Sequence, residues 1–292
     1  MLGCKWRNIQ RELAERSNGA IEVSIFPGGQ LGNDEATIDD MRLGTLDMVI
    51  GGTTNAAPFV PQFQVLQLPY FFQDRNQLES VLLGGGPVFN YIQRQYDENG
   101  LRLILLGLCN GGQRNMKSNR PIRSVEDIRG ISMRVTASAT ENMIWSTLGT
   151  LPISMSFNDI YTAMQANMID AFEVTLAAYT NAAQYEVAPY LILTGHQFTP
   201  THITISEISY NRLPEVFRQL LREVSEEAAR FGTRVANEAD DSLVEMLVSE
   251  RGATAVQVDT SGFRTLVEPL YEQITNDANG KELFEIMVNM LN

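Results

Sequence analysis

Trp6, Ile9 and Leu13 recur at three- and four-residue spacing among Arg7, Gln10, Arg11 and Glu12. That is the stripe of an amphipathic helix, and Ser17-Asn18-Gly19 stops it. Ile21, Val23 and Ile25 alternate with Glu22 and Ser24, which predicts a strand. After Asn33-Asp34 a helix with Ile38 and Met41 inward runs to Gly44, and Leu46–Ile50 reads as a buried strand. Asp74 caps a helix carrying Leu78, Val81 and Leu82. Pro87 opens another that Gly100 ends, and the strand Leu101–Leu108 follows.

The second half of the chain repeats the style. Ser124 to Asp127 is a helix start closed by Gly130, and Ile131–Val135 is a strand. Ser138–Leu148 is helical and Leu151–Met155 extended. Ser156 caps a helix holding Ile160, Ala163, Met164 and Met168. Ile169–Val174 is a short strand, a helix covers Thr175–Tyr185, and Ile203–Ile208 is a strand. From Pro214 to about Glu250 apolar residues keep helical spacing with only Gly232 as a breaker. At 1.5 Å per residue such a helix is about 55 Å long, so it runs along more than one compact body. Ala255–Val258 and two helices close the chain. The alternation predicts an α/β fold with a mostly parallel sheet and helices on both faces.

The length of 292 residues suits two compact lobes or one large α/β domain. No flexible linker interrupts it, so the chain is expected to cross between lobes several times. Lys and Arg total 22 against 35 Asp and Glu, a net charge of −13. That disfavours nucleic acid and anionic membrane surfaces as partners. No apolar run approaches the ~18 residues of a membrane span. Met1-Leu2-Gly3-Cys4 leads straight into Lys5-Trp6-Arg7, with no signal peptide in this chain. Cys4 and Cys109 are too few for a disulfide framework or a zinc site, so two free thiols are expected.

Motifs for catalysis are scarce. His196 and His202 are the only histidines and have no nearby Cys, so they fit no common metal site, and no G-x-S-x-G or phosphate-cradling glycine pattern occurs. No cofactor is implied. Gly51-Gly52 ends a strand, where backbone can approach a ligand closely. Arg134 lies inside the apolar run Ile131-Ser132-Met133-Arg134-Val135, so it must be paired or face a cleft. Arg114 follows the strand Leu101–Leu108. For both, an internal ion pair and contact with a ligand stay open.

Several segments together carry a resemblance. Ser17-Asn18-Gly19-Ala20-Ile21-Glu22-Val23, then Phe26-Pro27-Gly28-Gly29-Gln30-Leu31-Gly32, resemble the opening of the DctP-type solute-binding proteins of TRAP transporters. Leu43 to Met48, Val65 to Phe72, Ser118 to Ile122, Gly130 to Val135, Tyr161 to Gln165, Tyr185 to Val187 and Leu193 to His196 continue the match in order. The resemblance implies a two-lobed periplasmic-binding-protein fold with a long helix bracing both lobes. Lobe I would comprise 1–111 and 200–239, lobe II 112–199 and 240–292, with the helix at about 213–250. It implies a periplasmic monomer that captures a small organic acid by hinge closure and passes it to transporter membrane subunits. The alternative is an enzyme or a ligand sensor on the same scaffold.

By the same resemblance, Arg134 clamps the ligand carboxylate, Arg114 assists and Phe157 packs on the ligand. Glu173 orients Arg134 or backbone. Thr54, Asn55 and Tyr70 are peripheral pocket residues. The sequence departs from the family pattern in Asp170-Ala171-Phe172-Glu173-Val174-Thr175, where Val174 stands for the usual Asn beside the ligand carboxylate. An apolar flank on the ligand is expected there. The family's first strand has no counterpart before Trp6, so the true start is expected upstream of Met1.

Overall fold

The computed structural model describes residues 2–292, with side chains from Lys5 onward. Met1 and the Cys4 thiol, with the expectations attached to them, lie outside the described residues.

Two long strands organise the fold. β1 is Met48–Gly52, β2 Leu103–Ser118, β3 Ser132–Val135, β4 Leu151–Ser154, β5 Ala171–Thr175, β6 Tyr190–Ser206 and β7 Thr254–Gln257. They form one sheet in the order β1-β6-β2-β5-β3-β4, with β7 also on β6. β2 lies along one edge of β6 for its whole length. The other edge of β6 meets β7 at Tyr190–Leu193 and β1 at Thr201–Ile205. β5 joins β2 only over Arg114–Ser118. The sheet therefore has a small half around β1 and a larger half around β5, β3, β4 and β7.

Both long strands break register at the junction of the halves. The ladder between β2 and β6 slips between Asn110 and Gln113, opposite Pro200 and Phe198. Gly111 and Gly112 sit in the slip. A Cβ on Gly111 would fall 2.7 Å from the Thr199 carbonyl oxygen, and Gly112 has φ +107°, where only glycine is unstrained.

The sheet is not mostly parallel. β1/β6, β2/β6 and β2/β5 are antiparallel, while β3/β4, β3/β5 and β6/β7 are parallel. Helical crossovers such as Ala139–Thr147, between β3 and β4, enforce parallel pairing only where they occur. The segments Leu101–Leu108 and Ile203–Ile208, read as short strands, are parts of the much longer β2 and β6. Ile21–Ile25 forms no ladder. Ile21 N–H donates to Ser17 Oγ (2.9 Å) and Gln10 Nε2 donates to the Val23 carbonyl (2.6 Å), so side chains take the backbone groups. Ile21 and Val23 still pack on a core with Ile9, Leu13 and Ile203.

Most helices stand where their caps put them. Asn33 Oδ1 accepts from Ala36 N–H and Asp74 Oδ1 from Gln77 N–H, opening Asp34–Leu43 and Arg75–Leu82. The Ser124 start yields only a 3₁₀ turn, Val125–Ile128. Leu176–Asn181 is shorter than expected, and Met168 lies beyond the helix Ile160–Gln165, exposed. Three α-helices, Ser261–Val267, Tyr271–Asp277 and Lys281–Leu291, close the chain where two were expected. The long helix Glu215–Arg251 ends at Gly252, whose N–H donates to the Leu247 carbonyl. It packs against the N-terminal helix Leu2–Arg16, against β2, and against Leu176–Asn181 and β7 of the larger half.

Candidate functional site

The larger half of the sheet brings five ionisable side chains together beneath its surface. Arg114 lies on β2 and pairs with Thr175 of β5, so the neighbouring Glu173 on β5 reaches it across the ladder. Arg114 Nε and Nη2 donate to the two carboxylate oxygens of Glu173, a bidentate pair. Glu141, in the first turn of the helix Ala139–Thr147, sits 3.5 Å from Arg114 Nη2. His196 on β6 places Nε2 3.6 Å from Glu173 Oε2. Arg134 on β3 completes the group.

The two arginines are held differently. Arg114 is neutralised by Glu173. Burial alone would lower its pKa, but the charges of Glu173 and Glu141 raise it overall. Burial alone would likewise raise the Glu173 carboxyl, yet Arg114 and the nearby His196 hold it below the usual carboxylate range. Arg134 donates Nε and Nη2 to one carbonyl, Met155 O, at 3.0 and 2.8 Å. Among the described residues it forms no ion pair, although it is 4% exposed. Burial lowers its pKa, and the charges of Glu173 and Glu141 offset this in part.

Several polar atoms around Arg134 lack partners. Both Glu141 oxygens, Thr136 Oγ1 and His196 Nε2 are buried without a hydrogen bond. Buried polar groups in folded proteins are normally paired, so this concentration marks a place built for something else to occupy. His196 Nδ1 lies 2.8 Å from Thr194 Oγ1, which itself accepts from Met116 N–H. Nε2 faces the Glu173 carboxylate, so the neutral tautomer with its proton on Nε2 suits the site and leaves Nδ1 to accept from the Thr194 hydroxyl. Burial lowers the His196 pKa and keeps the ring neutral. Lys117 is also buried. Its Nζ donates to the carbonyls of Asn115 (2.8 Å) and Val174, and burial pushes its pKa down to about 7.

The other residues singled out in the sequence fall into separate settings. Glu173 bonds Arg114, and Arg134 takes the Met155 carbonyl instead. Val174 and Phe172 lie on the face of β5 opposite Glu173, inside an apolar cluster with Ile160, Met164 and Leu191. Phe157 is half-exposed in a 3₁₀ turn after β4. Tyr70, at φ +60°, is tied to β6: its N–H donates to the His196 carbonyl (2.8 Å) and its hydroxyl to the Thr194 carbonyl (3.3 Å). Thr54 Oγ1 donates to Gln67, and Asn55 Nδ2 donates to Asp34 Oδ2 (2.6 Å). Near Gly51, a Cβ would lie 3.0 Å from His202 Nε2 and 3.6 Å from Asp34 Oδ1, so these two groups converge on the backbone at the end of β1.

Sequence reasoning passed over Glu141. Ser138-Ala139-Thr140-Glu141 has the form of a capping box. Only half of one forms: Ser138 Oγ accepts from Glu141 N–H (3.3 Å), while the Glu141 carboxyl turns inward to Arg114. No cluster of metal-ligating side chains occurs among the described residues, and no helix among them is long and apolar enough to cross a membrane.

This arrangement of long helix, two-part sheet and buried arginines is the fold of solute-binding proteins. The chain belongs to the bacterial extracellular solute-binding proteins, family 7, the DctP family of TRAP-transporter solute-binding proteins, whose profile matches residues 4–277. It is 27% identical over 277 residues to the sialic acid-binding periplasmic protein SiaP of Vibrio cholerae, covering 91% of this chain and 81% of the relative. It is 27% identical over 252 residues to the 2,3-diketo-L-gulonate-binding periplasmic protein YiaO of Escherichia coli, covering 86% and 76%. A TRAP periplasmic solute-binding protein of Sulfitobacter sp. NAS-14.1, solved with bound α-D-taluronate, superposes with TM-score 0.91 at 25% identity, covering 98% of this chain and 92% of that one. Its counterpart from Xanthobacter autotrophicus, with bound β-D-galacturonate, gives TM-score 0.89 at 25% identity, covering 98% and 94%.

Proposed function

We propose that this protein binds a small carboxylate-bearing metabolite in the periplasm and delivers it to the membrane subunits of a TRAP transporter, with Arg134 as the carboxylate clamp. One observation carries the reading: a guanidinium buried at 4% exposure, fixed by the Met155 carbonyl, with no carboxylate of its own among the described residues. Its neighbour Arg114 is already neutralised by Glu173. An incoming carboxylate completes the charge balance at Arg134, and the planar fork of N–H donors orients it. Relatives named for or solved with acids, among them sialic acid, galacturonate and taluronate, support a carboxylate ligand.

In this reading residues 1–111 with 200–239 form one lobe and 112–199 with 240–292 the other. The register slip at Asn110–Gln113, opposite Phe198–Pro200, supports that division. The lobes close on the ligand as a monomer, without chemistry. Phe157, Tyr70, Thr54 and Asn55 line the pocket, and Arg114 and Glu173 hold Arg134's surroundings rigid. Removing one partner of a buried charge pair costs about 2–5 kcal/mol, which is roughly 30- to 4,000-fold in affinity. Calorimetry with Arg134→Ala and Arg134→Lys, against carboxylates that bind the parent, tests this. Loss of binding with an unchanged circular dichroism spectrum is expected; parent-like affinity of Arg134→Ala would overturn the assignment.

A further inference from the structure

Glu141 is the residue of this cluster whose oxygens no protein donor satisfies. It is 3% exposed, and neither oxygen makes a hydrogen bond. Its one close cation, Arg114 Nη2 at 3.5 Å, already donates to Glu173. The neighbouring Thr136 Oγ1 is also orphaned, and Thr136 follows directly on the strand carrying Arg134. A leucine of similar volume would fill this position without burying two unpaired acceptors. A carboxyl kept there in the absence of protein donors is matched to donors that arrive with the ligand. Burial and the charge of Glu173 push its carboxyl up to about 7, against the pull of Arg114 and Arg134; the protonated form has Glu173 as an acceptor, and it is the ionised form that is left without a donor.

We propose that Glu141 is a specificity-determining residue whose carboxyl accepts a hydrogen bond from a hydroxyl or ammonium group of the ligand, within two carbons of the carboxylate held by Arg134. The site then selects hydroxy or amino acids over the matching plain carboxylates. This rests on the reading of Arg134 as the clamp. A site built to hydrogen-bond a donor rejects the analogue lacking it, because the acceptor is then buried unpaired. Val174, turned into the apolar cluster behind β5, offers no competing amide at this spot.

The test is calorimetry of the full chain against matched sets: propionate, lactate and alanine; butyrate and 3-hydroxybutyrate; cyclohexanecarboxylate, D-glucuronate and D-galacturonate. The parent is expected to bind the donor-bearing member of at least one set tenfold or more tighter than its plain partner. Glu141→Leu should bring that ratio toward one, while Glu141→Gln, which keeps an acceptor, should retain most of it for a hydroxyl and lose it for an ammonium. Equal affinity of donor-bearing and plain acids for the parent overturns the proposal, as does a ratio that survives Glu141→Leu. If Glu141→Leu does not fold, the ratio in the parent and its change in Glu141→Gln decide. Failure of every acid to bind, or binding indifferent to Arg134→Ala, overturns the carboxylate reading itself. Arg134-dependent binding with selectivity indifferent to Glu141 overturns only this inference.

Discussion

Two buried guanidiniums a few residues apart in the sheet are held by different means, and that difference is the functional statement of the site. Arg114 spends its fork on Glu173, so its charge is already cancelled. Arg134 is anchored by a single carbonyl and keeps its charge available. The sequence placed both arginines in or beside apolar strands and so exposed the question of pairing. The resemblance gave Glu173 to Arg134 or to backbone, whereas the cross-strand register between β2 and β5 brings it to Arg114. Glu141 was hidden for another reason, its resemblance to a capping residue. The buried carboxyl has a consequence for stability. Its pKa lies near 7 in the folded chain, above the ordinary value of 4.5, so the native state holds a proton that the unfolded state has released. Stability from this group is fully present below about 4.5 and is lost as pH rises through about 7. Glu141→Gln is expected to flatten the melting profile between about pH 5 and 8. It should be more stable than the parent at pH 8, by about 1–3 kcal/mol. A steeper profile in the variant would contradict this.

At the level of elements, local signals were read where local chemistry decides. Asn33, Asp74, Gly44 and Gly252 cap the helices that their positions announced, because a cap acts within a few residues of itself. The long strands were misjudged because glycine weakens strand propensity. The strand expected over Leu101–Leu108 runs on through Gly111-Gly112, which form a slip inside β2. The alternation at Ile21–Ile25 failed for the opposite reason: a strand needs a partner, and side chains took the backbone groups first. The long helix shows how one small residue can be fixed by a distant one. Lys5, fully buried, donates to Thr201 Oγ1 (2.8 Å) and to Cys109 Sγ (3.1 Å) and lies across Gly232. A methyl on Gly232 would fall 2.5 Å from Lys5 Cγ and 2.7 Å from Cδ. Helix propensity alone favours Gly232→Ala by about 1 kcal/mol, whereas overpacking costs about 1–3 kcal/mol. The expected outcome of chemical denaturation is therefore no gain or a net loss, up to about 2 kcal/mol. A clear gain would show that Lys5 does not sit on Gly232. Lys5→Met together with Gly232→Ala should not restore the parent, because methionine keeps much of the stem.

Across the whole molecule, a net charge of −13 surrounds two buried arginines, so the proposed capture of an anion at Arg134 rests on local placement rather than on the overall field. The junction of the two sheet halves is stitched to the long helix. Asp240 Oδ2 accepts from Gln113 N–H (2.7 Å), and Asn110 Nδ2 donates to Asn237 Oδ1 (3.1 Å). Gly112 sits at the centre of this junction, with φ +107° and Asp240 Oδ1 3.3 Å from where a Cβ would be. Gly112→Ala is expected to cost about 1–3 kcal/mol of stability through backbone strain. The preference among carboxylates should be unchanged, because no ligand-facing group moves. Arg134→Ala should do the reverse: near-parent melting with binding lost. Thermal melts beside calorimetry on the two variants separate these, and a selectivity change in Gly112→Ala would place the junction within the site. The pairing of the small half has a different consequence, one of timing. β1 finds its ladder only in β6, where Ile50 meets Ile203, more than 150 residues later. At about 5–20 residues per second, Ile203 follows Ile50 off the ribosome by roughly 10–30 seconds. During that interval β1 has no strand to join, and closure across so long a loop is slow by its topology. The small half of a nascent chain of this design stays open until β6 has been made, and the sheet then closes around that late central strand.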